Sequence, residues 1–568
     1  MSTSKHFDKI VAAVLVLGLL LTVGFINGEA LDIEKIIDED AEQYEETEYF
    51  TANDLNGDWD ASNPTATITL NGDSAKVSGN GAYYNDGSVV ITGAGYYVFS
   101  GALDDGNIVV DAYDSSKVFI LLNGVDIYCS DDACLRVENA EKVFLTLAAG
   151  TENRMESGET YSQTALDDNT GGTIFAHDDL TINGSGSLDI VANYKHGVDA
   201  NDDLKITGGT ITVTAPEDGL HVNDSFRLAN ASLTISVGDD GIHSDTDIYI
   251  ESGTLLITEC YEGVEAPIIE VVGGDIMIYP TDDGFNANGG SGGFEGFGGG
   301  GMMGGGGMGG GFGRRGESAD SKDGEFSGER PDFGNFDGEM PDIGDFDGEM
   351  PTPPDWSESD GEDTETYIRI TGGSIMIVNE DAQDADGLDS NGSIYIEGGT
   401  ILVSLNGNGS NNAIDYGSES GGVAEISGGT IIAAGGASMA ESFDSTSTQP
   451  SIAYTTSAAA GTTVTLKDAS GTALLTWDVP CSFTYLTLSC PGMTLGETYT
   501  LAIGDSEEEV TLEESVTTLG SSSGMGGFGG WNNIDGESGD FSFGGRGGHG
   551  KRGWSESTET TKDTQNAE

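Results

Sequence analysis

A 22-residue periodicity limits what this chain can fold into more than any other feature. Marker glycines stand at Gly197, Gly219, Gly241, Gly263 and Gly284, in steps of 22, 22, 22 and 21 residues. The units read HGVDANDDLKITGGTITVTA from His196, DGLHVNDSFRLANASLTISV from Asp218, DGIHSDTDIYIESGTLLIT from Asp240 and EGVEAPIIEVVGGDIMIYP from Glu262. Each holds two short segments that alternate apolar with polar, parted by a Gly-Gly or Asn-Ala corner. Leu204 and Ile206 flank Lys205, and Ile211 and Val213 flank Thr212. Alternation with period two in pieces this short means strands with one buried face. A unit of this length without a helical segment cannot form a βαβ crossover. It can form one turn of a coil whose strands stack in parallel on the next turn, about 4.8 Å away. The expected fold is all-β: a right-handed parallel β-helix of about 22 residues per turn, the hand following from the chirality rule for parallel crossovers.

The rest of the chain is laid out around that coil. An apolar run from Ile10 to Ile26 follows Lys5, His6 and Lys9, so residues 1–28 are expected to be a signal peptide or an N-terminal membrane anchor. Either one places the remainder outside the cytoplasm, secreted or on the cell surface. Residues 29–65 read as an acidic linker and 66–288 as the first part of the coil. The repeat stops at Asn288 and resumes at YIRITGGSIMIV from Tyr367. Residues 289–365, rich in glycine, methionine and acids, therefore read as a disordered insertion hung from one corner, with the coil continuing over 366–445. Residues 446–518 read as antiparallel hairpins forming a small β cap, and 519–568 as a disordered tail. Cys129/Cys134 and Cys481/Cys490 are pairs that an oxidising compartment could bridge, with Cys260 left over.

Charge narrows the partners. With 97 Asp+Glu against 21 Lys+Arg the formal net charge is -76. The 19 acids and 4 bases between 289 and 365 leave -61 on the rest, so the acidity belongs to the coil as well. Such a surface repels phosphate backbones, which excludes nucleic acid, and it attracts divalent cations.

In a stacked coil, one position repeated in every turn becomes a column. The residue before the marker glycine reads His196, Asp218, Asp240, Glu262, Asp283 and then Asp386. Two residues after the glycine the column reads Asp199, His221, His243, Glu265, Asn286 and Asp389, continued by Asp415. Carboxylates at that spacing repel, while hard oxygen donors at glycine turns suit Ca²⁺. The candidate calcium ligands are Asp199, Asp218, Asp239, Asp240, Glu262, Glu265, Asp282, Asp283, Asp386 and Asp389. DG is also simply good turn chemistry. His221 and His243 would stack between Asp199 and Glu265, as plain stacked imidazoles or as a transition-metal pair. Outward positions of the first strand read Lys205, Arg227, Tyr249, Glu270, Arg369 and Tyr395. Lys205, Arg227, Tyr249, Arg369 and Tyr395 form a basic and aromatic island suited to the flat faces and carboxylates of a sugar chain. On the second strand, Thr212 and Thr234 give way to Leu256, Met277, Met376, Leu402 and Ile432, an apolar stripe that needs a cover.

The units GGTIFAHDDLTINGSGSLDIVANYKHGVDANDDLKITGGTITVTAPEDGLHVNDS, together with KVFILLNGVDIYCSDDACLRVENAEKVFLTLAAGTENRM upstream, resemble the bacterial β-helix carbohydrate-binding family. The likeness covers roughly residues 100–440 outside the insertion. It implies a right-handed parallel β-helix resembling polysaccharide lyases, secreted or surface-displayed. It also implies bound calcium and affinity for plant cell-wall polysaccharides, cellulose-like or pectic; the calcium role carries over only to the DG corners named above. The expected function is a non-catalytic, calcium-dependent polysaccharide binder, monomeric. One alternative is a pectate-lyase-like eliminase with Lys195 as its base. The other is an inert surface stalk or adhesin rigidified by calcium.

Overall fold

The computed structural model describes residues 47, 49–59, 61–288, 366–381 and 385–520. The leader, most of the acidic linker, the 289–365 insertion and the tail from 521 lie outside the described residues. No helix among the described residues is long and apolar enough to cross a membrane.

Every repeat contributes three strands, and each strand pairs in parallel with its counterpart one unit on. In the first column Leu204 pairs in turn with Phe226, Ile248, Ile269, Ile368, Ile394 and Ala424. In the second, Ile211 is followed by Leu233, Leu255, Ile276, Ile375, Ile401 and Ile431. In the third, Val198 is followed by Leu220, Ile242, Val264, Phe285, Leu388 and Ile414. All these side chains are buried and form one continuous core. Full burial of such a side chain is worth about 1.5–3 kcal/mol. The protein is thus nearly all β. The first two columns belong to a 25-stranded sheet and the third to a 12-stranded sheet, with a further 4-stranded sheet near the C-terminus. The insertion does not disturb the stack: Ile268 pairs with Tyr367, Asp275 with Ser374 and Phe285 with Leu388.

Both ends of the stack turn antiparallel. Ala66–Gly72 pairs antiparallel with Ala75–Gly79 before parallel pairing begins against Gly95–Leu103. At the other end Thr430–Gly435 pairs antiparallel with Phe483–Ser489. Those pairings satisfy edges that would otherwise template further strands. The same C-terminal hairpins cover the apolar stripe: Met277, Met376, Leu402 and Ile432 pack in one cluster with Phe483, Leu486 and Leu488. The close cysteine pairs are not bridged; Cys129, Cys134, Cys260, Cys481 and Cys490 are free, buried thiols.

The marker glycine is a packing requirement. At Gly241 a Cβ would stand 2.5 Å from the Gly263 carbonyl oxygen and 2.6 Å from Ile257 Cδ1. The turns approach this closely because each glycine N–H donates to the corner carbonyl of the next turn, Gly219 to Asp240 and Gly241 to Glu262, both at 2.9 Å. At the last level of this column Ala413 takes the glycine's place. Among the described residues no further strand of that sheet lies over it, so its methyl is tolerated. Gly241→Ala should therefore cost about 1–3 kcal/mol in a denaturant titration by overpacking, while Ala413→Gly should shift the midpoint far less. Equal effects would show that the corner does not discriminate by contact with the next turn.

Candidate acidic and imidazole corner

The outward side chains of the third column stand in register from Asp199 through His221, His243, Glu265, Asn286 and Asp389 to Asp415. The residues before the glycines run beside them. Their first role is backbone support. Asp218 Oδ1 accepts the Asp240 N–H at 3.1 Å, Asp283 accepts the Asp386 N–H at 2.6 Å, and Asp386 accepts the Asn412 N–H at 2.7 Å. A short carboxylate at the corner thus ties its own turn to the next, which is the turn chemistry that Asp-Gly offers.

The remaining charge is handled differently along the column. In the middle, His196, His221 and His243 stack, with ring centroids 4.5 and 5.0 Å apart and planes within 17° and 8°. Asp218 Oδ2 lies 3.1 Å from His196 Nδ1 and 2.8 Å from His221 Nδ1. Burial pushes the Asp218 carboxyl up, but the two imidazoles outweigh it and hold the group below the ordinary carboxylate range. His243 Nδ1 lies 2.6 Å from Glu265 Oε2 and its Nε2 lies 3.1 Å from Asp245 Oδ1. Burial disfavours the His243 charge, yet Asp240, Asp245 and Glu265 override that and push its pKa up to about 12. These levels carry imidazoles beside their acids.

The far end of the column does not. Asp386, Asp389 and Asp415 each offer an oxygen within 4.8 Å of the others, and no described ion pair neutralises them. Burial, then the charges of Asp415 and Asp282, push Asp389 up to about 7. Burial moves Asp386 and Asp415 the same way. Beside them, the side-chain oxygens of Asn286 and Asn412 are buried without a hydrogen-bond partner. Orphaned acceptors next to crowded carboxylates form an oxygen-only donor set, which fits a hard cation.

The expected row of like sites is therefore uneven. Asp218, Asp239, Asp240, Glu265, Asp386 and Asp389 fall in groups close enough to share an ion. Asp199, Glu262, Asp282 and Asp283 fall outside those groups. Asp199 Oδ2 accepts the Gly171 N–H at 2.9 Å, and Glu262 takes the Asn286 amide at 2.7 Å. Asp283 serves the backbone as above, and Asp282 lies against the Tyr261 hydroxyl. His196 and Asp415 complete two of the groups. His196 was hidden because its place before the glycine assigned it to the other column. The orphaned asparagines carry no sequence signal at all.

The basic island is half covered, which corrects the expectation of an open platform. Lys205, Arg227 and Tyr249 are in register, but a segment of the nominal linker lies over them. Its short helix α1, Ala52–Leu55, is capped by Thr51, whose side chain accepts the Asp54 N–H. Asp54 is fully buried, 2.9 Å from Lys142 Nζ and 3.9 Å from Lys205 Nζ, and it accepts the Thr181 hydroxyl at 2.7 Å. Lys205 also donates to the Tyr49 carbonyl at 2.9 Å. The Tyr49 ring packs 4.3 Å from Tyr249 and 4.9 Å from the Arg227 guanidinium. An acidic and aromatic stretch of the same chain thus occupies the surface expected for sugar. The other half stays open. Arg369 sits 5.5 Å from the Tyr367 ring and 5.0 Å from the Tyr395 ring, paired with Glu397 at 2.7 Å, its side chain 37% exposed.

Lys195, the candidate base, stands at φ +43° with its ammonium 6.0 Å from the Tyr194 ring. It makes no ion pair with Asp218 among the described residues; both corner histidines hold that carboxylate instead.

A family profile described as carbohydrate-binding domain-containing protein matches residues 85–328. That stretch resembles this family. A carbohydrate-binding domain-containing protein of Acetivibrio thermocellus is 38% identical over 137 residues, 24% of this chain and 48% of that protein. The chain thus spans about half the length of this curated relative. Among solved structures, the polysaccharide lyase-like protein from C. thermocellum, a gadolinium derivative, aligns at TM-score 0.34 and 23% identity. The alignment covers 64% of this chain and 97% of that one.

Two outcomes follow from the charges. Asp54→Ala leaves Lys142 and Lys205 without their buried counter-ion and should cost about 3–5 kcal/mol in equilibrium unfolding; a loss under about 1 kcal/mol would mean the segment contributes little. The raised acids give a pH dependence. Their folded pKa values exceed the unfolded value near 4, so the metal-free fold is favoured below that value and loses stability as pH rises. For Asp389 the loss runs up to about 7. Melting of the metal-free protein should fall between mildly acid and neutral pH, with a shallower slope in Asp389→Asn; identical slopes would contradict the assignment.

Proposed function

We propose that this chain is a non-catalytic polysaccharide-binding protein, a right-handed β-helix held in register at one end by calcium. The observation that carries the calcium reading is the Asp386–Asp389–Asp415 group with the buried, unpartnered oxygens of Asn286 and Asn412 beside it. Calcium bound there supplies the positive charge that these carboxylates lack, and its open coordination suits the carboxylates of uronate sugars. Arg369 between Tyr367 and Tyr395 offers a guanidinium and two ring faces on the uncovered part of the basic column, the chemistry that a pectic or cellulose-like chain takes. The likeness of residues 85–328 to a carbohydrate-binding family supports the same class. Export to the cell surface, by a cleaved signal or a retained anchor, and a monomeric state complete the reading. The eliminase reading has less behind it, because Lys195 makes no ion pair with Asp218 among the described residues, and its ammonium lies 6.0 Å from the Tyr194 ring.

Retention on insoluble cell-wall polysaccharide and on immobilised polygalacturonate tests the proposal. Arg369→Ala with Tyr395→Ala should abolish retention and leave the melting temperature unchanged. Chelation or Asp389→Asn should remove the calcium contribution to stability, about 2.7 kcal/mol at a calcium concentration 100 times Kd, and weaken uronate binding with it. Retention indifferent to all three would refute both the sugar surface and the role of calcium. Calcium-dependent unsaturated product from polygalacturonate would establish the enzyme instead.

A further inference from the structure

The middle of the corner differs in chemistry from its far end. At one level, His196 Nδ1 and His221 Nδ1 lie 3.1 and 2.8 Å from Asp218 Oδ2. Their rings are stacked and His196 Nδ1 accepts the Asp218 N–H at 3.3 Å, so sharing an ion requires the His196 ring to turn toward Oδ2. At the next, Asp240 Oδ2 and Glu265 Oε2 face His243 Nδ1 at 3.8 and 2.6 Å. Within each trio the donor atoms lie within 4.8 Å of one another, and Asp239 joins the two levels by grouping with Asp218 and Asp240.

Separations near 3 Å are those between neighbouring donors around an ion held by bonds of about 2.0–2.2 Å. Two imidazoles with one carboxylate form a set that first-row transition ions prefer, whereas calcium and magnesium take oxygen alone. The surroundings fit as well. A metal-bound imidazole characteristically turns its second nitrogen to a carboxylate, which fixes the ring. His243 does so toward Asp245 at 3.1 Å, and the Asn288 amide holds the other oxygen of Glu265 at 2.5 Å. Access is graded: the Asp218 side chain is 8% exposed, while that of His221 is 30% exposed, so the donors sit below an open rim.

We propose that His196, Asp218 and His221 bind a first-row divalent transition ion such as Zn²⁺ or Co²⁺, with Asp240, His243 and Glu265 forming a second site one turn away. This site is independent of the calcium reading, which rests on different residues at the far end of the column. The backbone explains why the donors meet: His196 and Asp218 precede consecutive marker glycines, whereas His221 and His243 stand two residues after theirs. Parallel register brings the two series onto one corner.

The full chain, stripped of metal and then saturated with millimolar calcium, is titrated with Co²⁺ at neutral pH. One or two equivalents should bind, with visible ligand-field bands of mixed nitrogen and oxygen ligation. His196→Ala with His221→Ala should weaken binding at the first site by at least about tenfold, as should Asp245→Asn at the second. Asp389→Asn should leave cobalt binding unchanged. Wild-type protein loaded with zinc gives a readout free of folding defects, since X-ray absorption should show imidazole scattering in the first coordination shell. Oxygen-only ligation, displacement of the ion by calcium, or bands unaltered by the histidine substitutions would overturn the proposal. The corner would then be a ladder of imidazolium–carboxylate pairs and nothing more.

Discussion

Parallel pairing without a register shift places each side chain directly above its counterpart one turn away, about 4.8 Å distant. That constraint acts on every column alike. For isoleucine over isoleucine it is favourable, and the buried columns through Ile211 and Ile431 are its product. For aspartate over aspartate it is unfavourable, because the same spacing sets like charges against each other in partly desolvated corners. A coil of this kind cannot have the first without confronting the second.

The chain meets that repulsion by several means, each visible in named residues. Backbone N–H groups take up Asp218, Asp283 and Asp386. Imidazoles intercalate between Asp218 and Glu265. Where these devices do not outweigh burial and neighbouring charge, the acids hold their protons to higher pH, as Asp386 and Asp389 do. The flanks follow a parallel logic. The N-terminal segment around Asp54 neutralises the buried end of the basic column, and the C-terminal hairpins cover its apolar neighbour. What remains open is the stretch around Arg369.

The stacked parallel strands were legible because their signals are local and repeated: alternation, corner glycines and a fixed step. The columns followed from the step alone, and the pairing of Lys205 with Arg227 and of His221 with His243 agrees with it. What could not be read is whatever approaches the coil from far along the chain. Tyr49 and Asp54 sit in a stretch whose acidity suggests solvation, yet Asp54 is buried against Lys142 and Lys205, partners 88 and 151 residues away. No periodicity encodes such a contact. Ala413 is the opposite case. It stands where the earlier turns have glycine, and it marks the last level of that sheet among the described residues.

Asn286 has a further consequence for the charge along the corner. It places one neutral amide in the column between Glu265 and Asp389. Two turns separate those acids, about 9.6 Å at the usual strand spacing, close to the Debye length of roughly 8–10 Å at physiological salt. Partly buried charges are screened less than that length implies, and Glu262 and Asp283 stand beside the amide. Glu262 feels Glu265 and Asp240 on one side and Asp283 on the other, and Asp283 acts on Asp386. The charge state of one end therefore bears on the other through those two carboxylates. A single amide in an acidic row thus changes the donor chemistry at its own level without isolating the two ends of the column.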